Sequence, residues 1–458
     1  MDYSAANVQL WNSIIQLAII AAALLCAMFL RRGVPFIRRS LMPTSVLAGF
    51  ILLILKVAGV LTPDTQFMEW LTYHGIAIGF IAMSLKVPDR TGSEKGSLVG
   101  LKSGAIIVGS YMIQGVAGLV ISLVLARTLL PNLFPASGIL LPMGFGQGPG
   151  QANNIGSSFE ALGFAGGRSF GLAIAAAGYL CACVVGVIYI NYLVRSGKFK
   201  KGKIEGSVSE EISVAQFQSE DEPPISESMD RFSIQVALVI LVYLITFLLT
   251  KGICAGLRSI SPGLASTVES LLWGFNFIIG SALAIALRTI LKKLRAAKVM
   301  EHQYQNNYLL SRISGLAFDL MIAAGIASID FGDLSGLWLP FVLMVAAGAV
   351  LTMLHLRYVC KKAYPDYYYE GLVSMYGMMT GTISSGVLLL RELDPELKTP
   401  AANNLVLGSS FGILFGAPLM VLVSLASRSF TMALITLGLL AVYYVILLII
   451  VNIRKKKK

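Results

Sequence analysis

The sequence predicts an all-α polytopic membrane protein, and three observations carry that expectation. Hydrophobic residues fill 56% of the 458 positions and charged residues only 13%, with a mean hydropathy of +0.76. A water-soluble chain of this length carries about twice that share of charge. Eleven apolar runs come close to the span of roughly 20 residues that a helix needs to cross a hydrocarbon layer about 30 Å thick. The basic residues, finally, gather in alternate loops between those runs. Helix is the expected form because it satisfies its own backbone N–H and C=O groups where lipid offers no partner.

In chain order the predicted crossings are Trp11 to Leu30, Leu41 to Leu61, Trp70 to Leu85, Gly104 to Leu125, Phe170 to Leu193, Phe232 to Thr250, Val268 to Leu287, Ile313 to Ile329, Leu337 to Leu356, Asn404 to Leu425 and Phe430 to Val451. After the fourth and again after the ninth lies a stretch that is apolar but dense in Gly, Ser, Thr or Asn. These stretches are Gly138 to Leu162 and Gly371 to Leu390. Both would be poor lipid-facing helices. They read as re-entrant hairpins that enter and leave on one side, tolerated because protein surrounds them.

Short cytoplasmic loops collect Lys and Arg. With the N-terminus outside, every Lys and Arg falls on the cytoplasmic side except Lys56, Arg127, Arg168, Lys251, Arg258 and Arg428. The net charge of +12 is therefore a topology signal, and no nucleic-acid partner is expected. The tail from Arg454 to Lys458 is expected in the cytoplasm, which makes the chain a multi-pass protein of the inner cell membrane. No basic region precedes the first run and no small-residue cleavage site follows it, so it is expected to be a crossing and not a leader.

One long hydrophilic stretch, residues 195–231, opens basic at Lys198, Lys200, Lys201 and Lys203, then turns acidic through Glu210, Glu211, Glu220, Asp221 and Glu222. It reads as a cytoplasmic linker between two membrane halves, 1–194 and 232–425, with 430–458 an extra helix and basic tail. Each half holds five crossings with a hairpin after the fourth. Five is odd, so the second half must run upside down. The first hairpin then dips in from outside and the second from the cytoplasm, which is the layout of an inverted-repeat transporter with its site where the tips meet. Gly75-Ile-Ala77 in the third crossing and Gly315-Leu-Ala317 in the eighth echo that pairing faintly.

The hairpins carry the chemistry. In the first, Gly144, Gly146, Gly148 and Gly150 surround Pro149, which has no amide hydrogen to donate, so helix must break there. A broken helix at membrane depth exposes carbonyls that coordinate Na⁺ and N–H groups that, with the positive dipole end, hold a carboxylate. Asn153 and Asn154 add amide groups at the start of the returning helix. The second hairpin supplies hydroxyls at Thr380, Thr382, Ser384 and Ser385, with Gly381 and Gly386 as breakers. The candidate solute-binding set is thus Gly148, Gly150, Asn153, Asn154, Thr380, Thr382, Ser384 and Ser385. The candidate Na⁺ set is Gly146, Asn154, Ser385, Asp319, and Asn404 and Ser409 near the start of the tenth crossing. The plainer reading is that Gly and Ser only let membrane helices pack closely. Recurrence at the same place in both halves, with polar side chains each time, favours binding. No strand precedes the Gly-x-Gly run, which removes the nucleotide-loop reading.

Four stretches carry a wider resemblance. They are Pro43-Thr-Ser-Val-Leu-Ala-Gly49, the first hairpin ending in Ser157-Ser-Phe-Glu-Ala-Leu-Gly-Phe164, the Gly377 to Gly386 hairpin, and Leu393-Asp-Pro-Glu-Leu-Lys-Thr-Pro-Ala-Ala-Asn-Asn404 leading into Leu407-Gly-Ser-Ser410. The chain resembles the glutamate:sodium symporter family, part of the group that includes the 2-hydroxycarboxylate (citrate) transporters. The resemblance implies Na⁺-coupled uptake of a small acidic solute, hairpins in a moving transport domain, and a scaffold that forms a homodimer. Two departures bear on the solute: Gly144-Phe-Gly-Gln-Gly-Pro-Gly150 stands where members look like Gly-Gly-His-Gly-Thr-Gly, and Thr380-Gly-Thr382 where they look like Thr-Pro-Thr.

Charges inside crossings are functional candidates by default. Asp319 is read as a cation or proton site or as an interhelical hydrogen-bond partner. Lys56 is expected to snorkel to the headgroups, and Arg391, Glu392 and Asp394 to gate the second hairpin or form a solvated turn. The tyrosines between Tyr364 and Tyr369 read as an interfacial belt. His74, His302 and His355 are scattered, and no paired Cys-x-x-Cys or HExxH motif exists, so no cofactor and no transition-metal site are expected. The other classes considered are an intramembrane enzyme, for which no catalytic acid pair or nucleophile and base is seen, a membrane sensor, which lacks a soluble signalling domain, and a channel.

Overall fold

In a computed structural model of the chain, residues 3–4, 7–39, 42–87, 94–197, 231–260, 269, 272–274, 276–300, 302–394 and 399–453 are described. Most of the expected linker (198–230), the tail Arg454 to Lys458 and most of the start of the seventh crossing lie outside them. Among the described residues there is helix and no strand. The protein is an all-α polytopic membrane protein.

The helices before the linker are α1 (Val8–Gly33), α2 (Pro35–Arg39), α3 (Thr44–Val57), α4 (Thr65–Leu85), α5 (Glu94–Arg127), α6 (Leu140–Phe145), α7 (Pro149–Glu160) and α8 (Gly167–Arg195), with a 3₁₀ turn at Pro135–Ile139. After it come α9 (Arg231–Ile260), α10 (Asn276–Ala296), α11 (Asn307–Ala327), α12 (Trp338–Ala363), α13 (Tyr368–Thr380), α14 (Ile383–Arg391), α15 (Ala401–Ala426) and α16 (Phe430–Asn452). Each of the eleven predicted crossings overlaps one of these helices, the seventh only over its latter part from Asn276. Seven of these are long and apolar enough to span: α1, α5, α8, α9, α11, α12 and α16. The bent α15, turned by 45° between Ser409 and Phe411, makes eight. The other three fall short for local reasons. α3 has only 14 residues, α4 is interrupted by Glu69 and His74, and α10 ends in Arg288, Lys292, Lys293 and Arg295.

The chain forms two compact units, and the division falls inside α4 after Thr72 and inside α11 after Met321. The smaller unit closes its core with Ile81, Ala82 and Leu85 of α4 against Val239, Val242, Ala284 and Leu310. Here Gly75 packs on Ala317 and Met321, so the two segments that echo each other in sequence are neighbours. The Asn307 side chain pairs with both the amide and the carbonyl of Val87 at 2.7 Å, tying the end of α4 to the start of α11.

The larger unit is organised around α5, which α12 flanks in antiparallel sense. Ser103 meets Tyr364 at 2.7 Å, Gly109 lies against His355, and Gln114 meets Thr352 at 2.9 Å. That register decides where the broken segments enter. The first starts beside the C-terminal part of α5, where the Ser122 hydroxyl donates to Pro135 at 2.7 Å and Gly118 rests on Gly138. The second follows α12 and starts at Tyr364, beside the N-terminal part of α5. Residues 103 and 122 are separated by about 28 Å along a helix, close to a hydrocarbon thickness. The two segments therefore come in from opposite ends of one transmembrane helix.

Candidate functional site

Neither broken segment can cross a bilayer. The longer leg of each, α7 with 12 residues and α13 with 13, reaches about 18–20 Å. Each turns back on itself. Phe134, ahead of the first segment, meets Phe159 and Phe164 behind it, with ring centroids at 5.2 and 5.4 Å. In the second, a Cβ on Gly377 of α13 would stand 2.9 Å from the Gly386 backbone of α14, so only glycines let these legs touch.

The breaks have clear chemical origins. Gly148 sits at φ +85°, a left-handed conformation that glycine adopts freely, and Pro149 then opens α7 as a good first helical residue. In the second segment Thr382 is extended at φ −140°, ψ 175° and α14 opens at Ile383. These two breaks meet. A Cβ on Gly148 would lie 3.9 Å from Thr382 Cγ2, 4.0 Å from the Gly381 carbonyl and 3.7 Å from Tyr179 Oη of α8. Two helix N-termini, of α7 and α14, thus open at one point, and α6 and α13 end there. Such a point presents free N–H groups and positive dipole ends beside free carbonyls.

α8 backs both tips. A Cβ on Gly178 would stand 2.3 Å from the Thr380 carbonyl and 3.1 Å from the Phe145 ring, and the next residue, Tyr179, touches both Gly148 and Gly381. Several of the buried side-chain atoms without a hydrogen-bond partner in the protein belong to residues within two turns of the tips or to Gln114 beside Gly146, while others, such as those of Ser137, Asn276 and His355, lie elsewhere. Those of the first group include both amide atoms of Gln151, Asn153 Oδ1, Thr382 Oγ1, Ser385 Oγ, Tyr376 Oη and Gln114 Oε1. Each costs about 1–3 kcal/mol when buried alone. Unpartnered polar atoms on both tips are what a site for a polar ligand requires.

Of the residues expected from sequence, Gly146, Gly148, Gly150, Asn153, Asn154, Thr382 and Ser385 stand at or within two turns of the breaks, and all but Thr382 are buried. Thr380 is also there, but its hydroxyl donates to Tyr376 O at 2.9 Å, so its carbonyl is the group left to act. The Ser384 side chain lies outside the described residues. Asn404 is placed elsewhere: its amide donates to Tyr367 Oη at 2.7 Å, a full α13 length from the tip. Ser409 gives its hydroxyl to Leu405 O of its own helix. Asp319 belongs to the smaller unit and faces outward from α11.

Two expectations outside the site are corrected and one is narrowed. Lys56 donates to the Ile329 carbonyl at 3.0 Å, capping the end of α11 in place of reaching for headgroups. Asp394 accepts from both the amide and the hydroxyl of Thr399, at 2.8 and 2.6 Å, which matches the turn expected as one of its two readings except that the residue is buried and not solvated. Tyr364 is fully buried on Ser103, and Tyr367 holds Asn404, so this end of the tyrosine cluster builds the hairpin base and no interfacial belt. Conversely, Gln114, Gln151, Thr352 and Tyr179 were not among the sequence candidates. A lone amide in the apolar run Gly104 to Leu125 was a legible signal for Gln114, whereas Tyr179 carried none.

Fold and site together define a helical membrane protein in which two broken segments meet inside one unit. No family model matches the chain, and no curated protein matches it.

Proposed function

We propose that this protein is a secondary transporter of the inner membrane that moves a small acidic solute together with Na⁺ by alternating access. The observation that carries the reading is the meeting of two helix breaks that enter from opposite ends of α5, with unpartnered amide and hydroxyl groups around them. The N-termini of α7 and α14 suit a carboxylate, and the last carbonyls of α6 and α13 suit a monovalent cation. Resemblance to glutamate:sodium symporters favours glutamate or a similar acid as solute, and a homodimer as the assembly. The loop charges favour an outside N-terminus and a cytoplasmic C-terminus.

Inward-negative potential contributes about 2.3 kcal/mol per net positive charge per 100 mV, so uptake is electrogenic if more Na⁺ than solute charge is carried. The test is uptake of radiolabelled glutamate, aspartate, citrate and malate into proteoliposomes with and without an inward Na⁺ gradient. Uptake of one of these acids that rises with the gradient is expected. Uptake indifferent to Na⁺ removes the coupling, and no uptake of any acid removes the transporter reading.

A further inference from the structure

We propose that Gln114 of α5 is a side-chain ligand of the coupling cation, and that this cation binds at the Gly146 break. The inference rests on the transporter reading and adds a ligand that neither hairpin sequence contains. Gln114 is fully buried in the middle of α5. Its Nε2 donates to Thr352 Oγ1 of α12 and to the Met379 carbonyl of α13, both at 2.9 Å. Both amide hydrogens are thereby used, which fixes the orientation of the group and leaves Oε1 able only to accept.

That oxygen has no hydrogen-bond partner, and it stands 3.0 Å from where a Cβ on Gly146 would be, next to the edge of the Tyr111 ring, which comes within 2.5 Å of the same point. It therefore points at the break in the first hairpin while its nitrogen holds the tip of the second. Just before this break, α6 ends at Phe145. Pro142 O already accepts from the amides of Gly146 and Gln147 at 3.1 and 3.2 Å, which leaves the carbonyls of Met143, Gly144 and Phe145 as the helix end. The Gln114 amide oxygen beside Gly146 and the last carbonyls of α6 are neutral oxygens, the ligand type that unwound membrane helices offer to Na⁺. Because the same amide grips Met379, cation binding at one hairpin is linked directly to the position of the other.

The experiment measures ²²Na⁺ binding to purified full-length protein without solute, alongside the Na⁺ dependence of uptake. Gln114→Ala is expected to raise the half-saturating Na⁺ at least about tenfold, the effect of losing one ~1.4 kcal/mol contact. Thr352→Val, nearly isosteric, frees one amide hydrogen and is expected to raise it about threefold, and it keeps the test open if Gln114→Ala does not fold. Gln114→Glu retains the oxygen and is expected to make Na⁺ binding rise with pH. Half-saturating Na⁺ within twofold of wild type in both Gln114→Ala and Thr352→Val would overturn the assignment, as would a wild type that binds no Na⁺. Solute uptake by such a protein would leave the transporter reading standing, whereas Na⁺ binding that weakens in Gln114→Ala without any solute uptake would support the cation site alone.

Discussion

The tips and the base of the second hairpin are built from the same residue types and differ in how those residues are satisfied. At the base, Ser103 pairs with Tyr364, Asn404 with Tyr367, and Asp394 with Thr399. At the tips, the amide of Gln151, Oδ1 of Asn153 and the hydroxyls of Thr382 and Ser385 have no partner in the protein. A buried polar group is expensive unless it is bonded, so the base is satisfied within the protein, whereas the tips hold the unpartnered groups on which the proposed binding reading rests. The lesson is that residue identity did not separate satisfied from unsatisfied positions. Only hydrogen-bond accounting did.

The comparison breaks most visibly if the tips do not need their close contact. Gly178→Ala puts a methyl 2.3 Å from the Thr380 carbonyl and is expected to abolish most uptake, at least about tenfold at equal surface expression. Gly438→Ala on α16, where a Cβ meets nothing within 4 Å, is the control and is expected to transport normally. Next in size, Gln151→Leu should lose uptake by about tenfold while the melting temperature in detergent holds or rises, because an apolar group of similar size relieves an unpartnered amide. A fall in melting temperature with uptake intact would place Gln151 among structural residues.

At the base the pattern is expected to reverse. Tyr367→Phe strips the acceptor from the Asn404 amide and should destabilise by about 1–3 kcal/mol, with the solute KM within about twofold of wild type. The smallest effect lies far from both. The Asn12 amide, then the Phe67 and Gln66 amides, hold the Asp64 carboxyl below its ordinary range. A depressed folded value means the stabilisation is present above the unfolded pKa, about 3.9, and is lost as pH falls through the folded value. Asp64→Asn should therefore lower the melting temperature modestly at neutral pH and flatten its further loss below about pH 4, so that the two proteins converge in acid.

Much was legible in the chain because lipid is an undemanding reader: it asks only for apolar length and self-satisfied backbone. The eleven apolar runs, the two Gly-punctuated stretches and the Pro149 break follow from that requirement alone. Pairing between distant segments follows no such rule. Nothing in sequence says that Asn404 will find Tyr367 and not an ion, that Lys56 will cap Ile329, or that Gln114 will clasp Thr352 and Met379 more than 230 positions away.

What the sequence by itself determined is an all-α membrane protein with helix breaks at glycines and Pro149, since hydropathy and backbone dihedral freedom are local properties. Only the tertiary structure decided that those breaks face each other across α5 and α8. It also decided which of many similar Asn, Ser, Thr and Tyr side chains stand there unsatisfied, because a hydrogen bond depends on what another segment brings within about 3 Å.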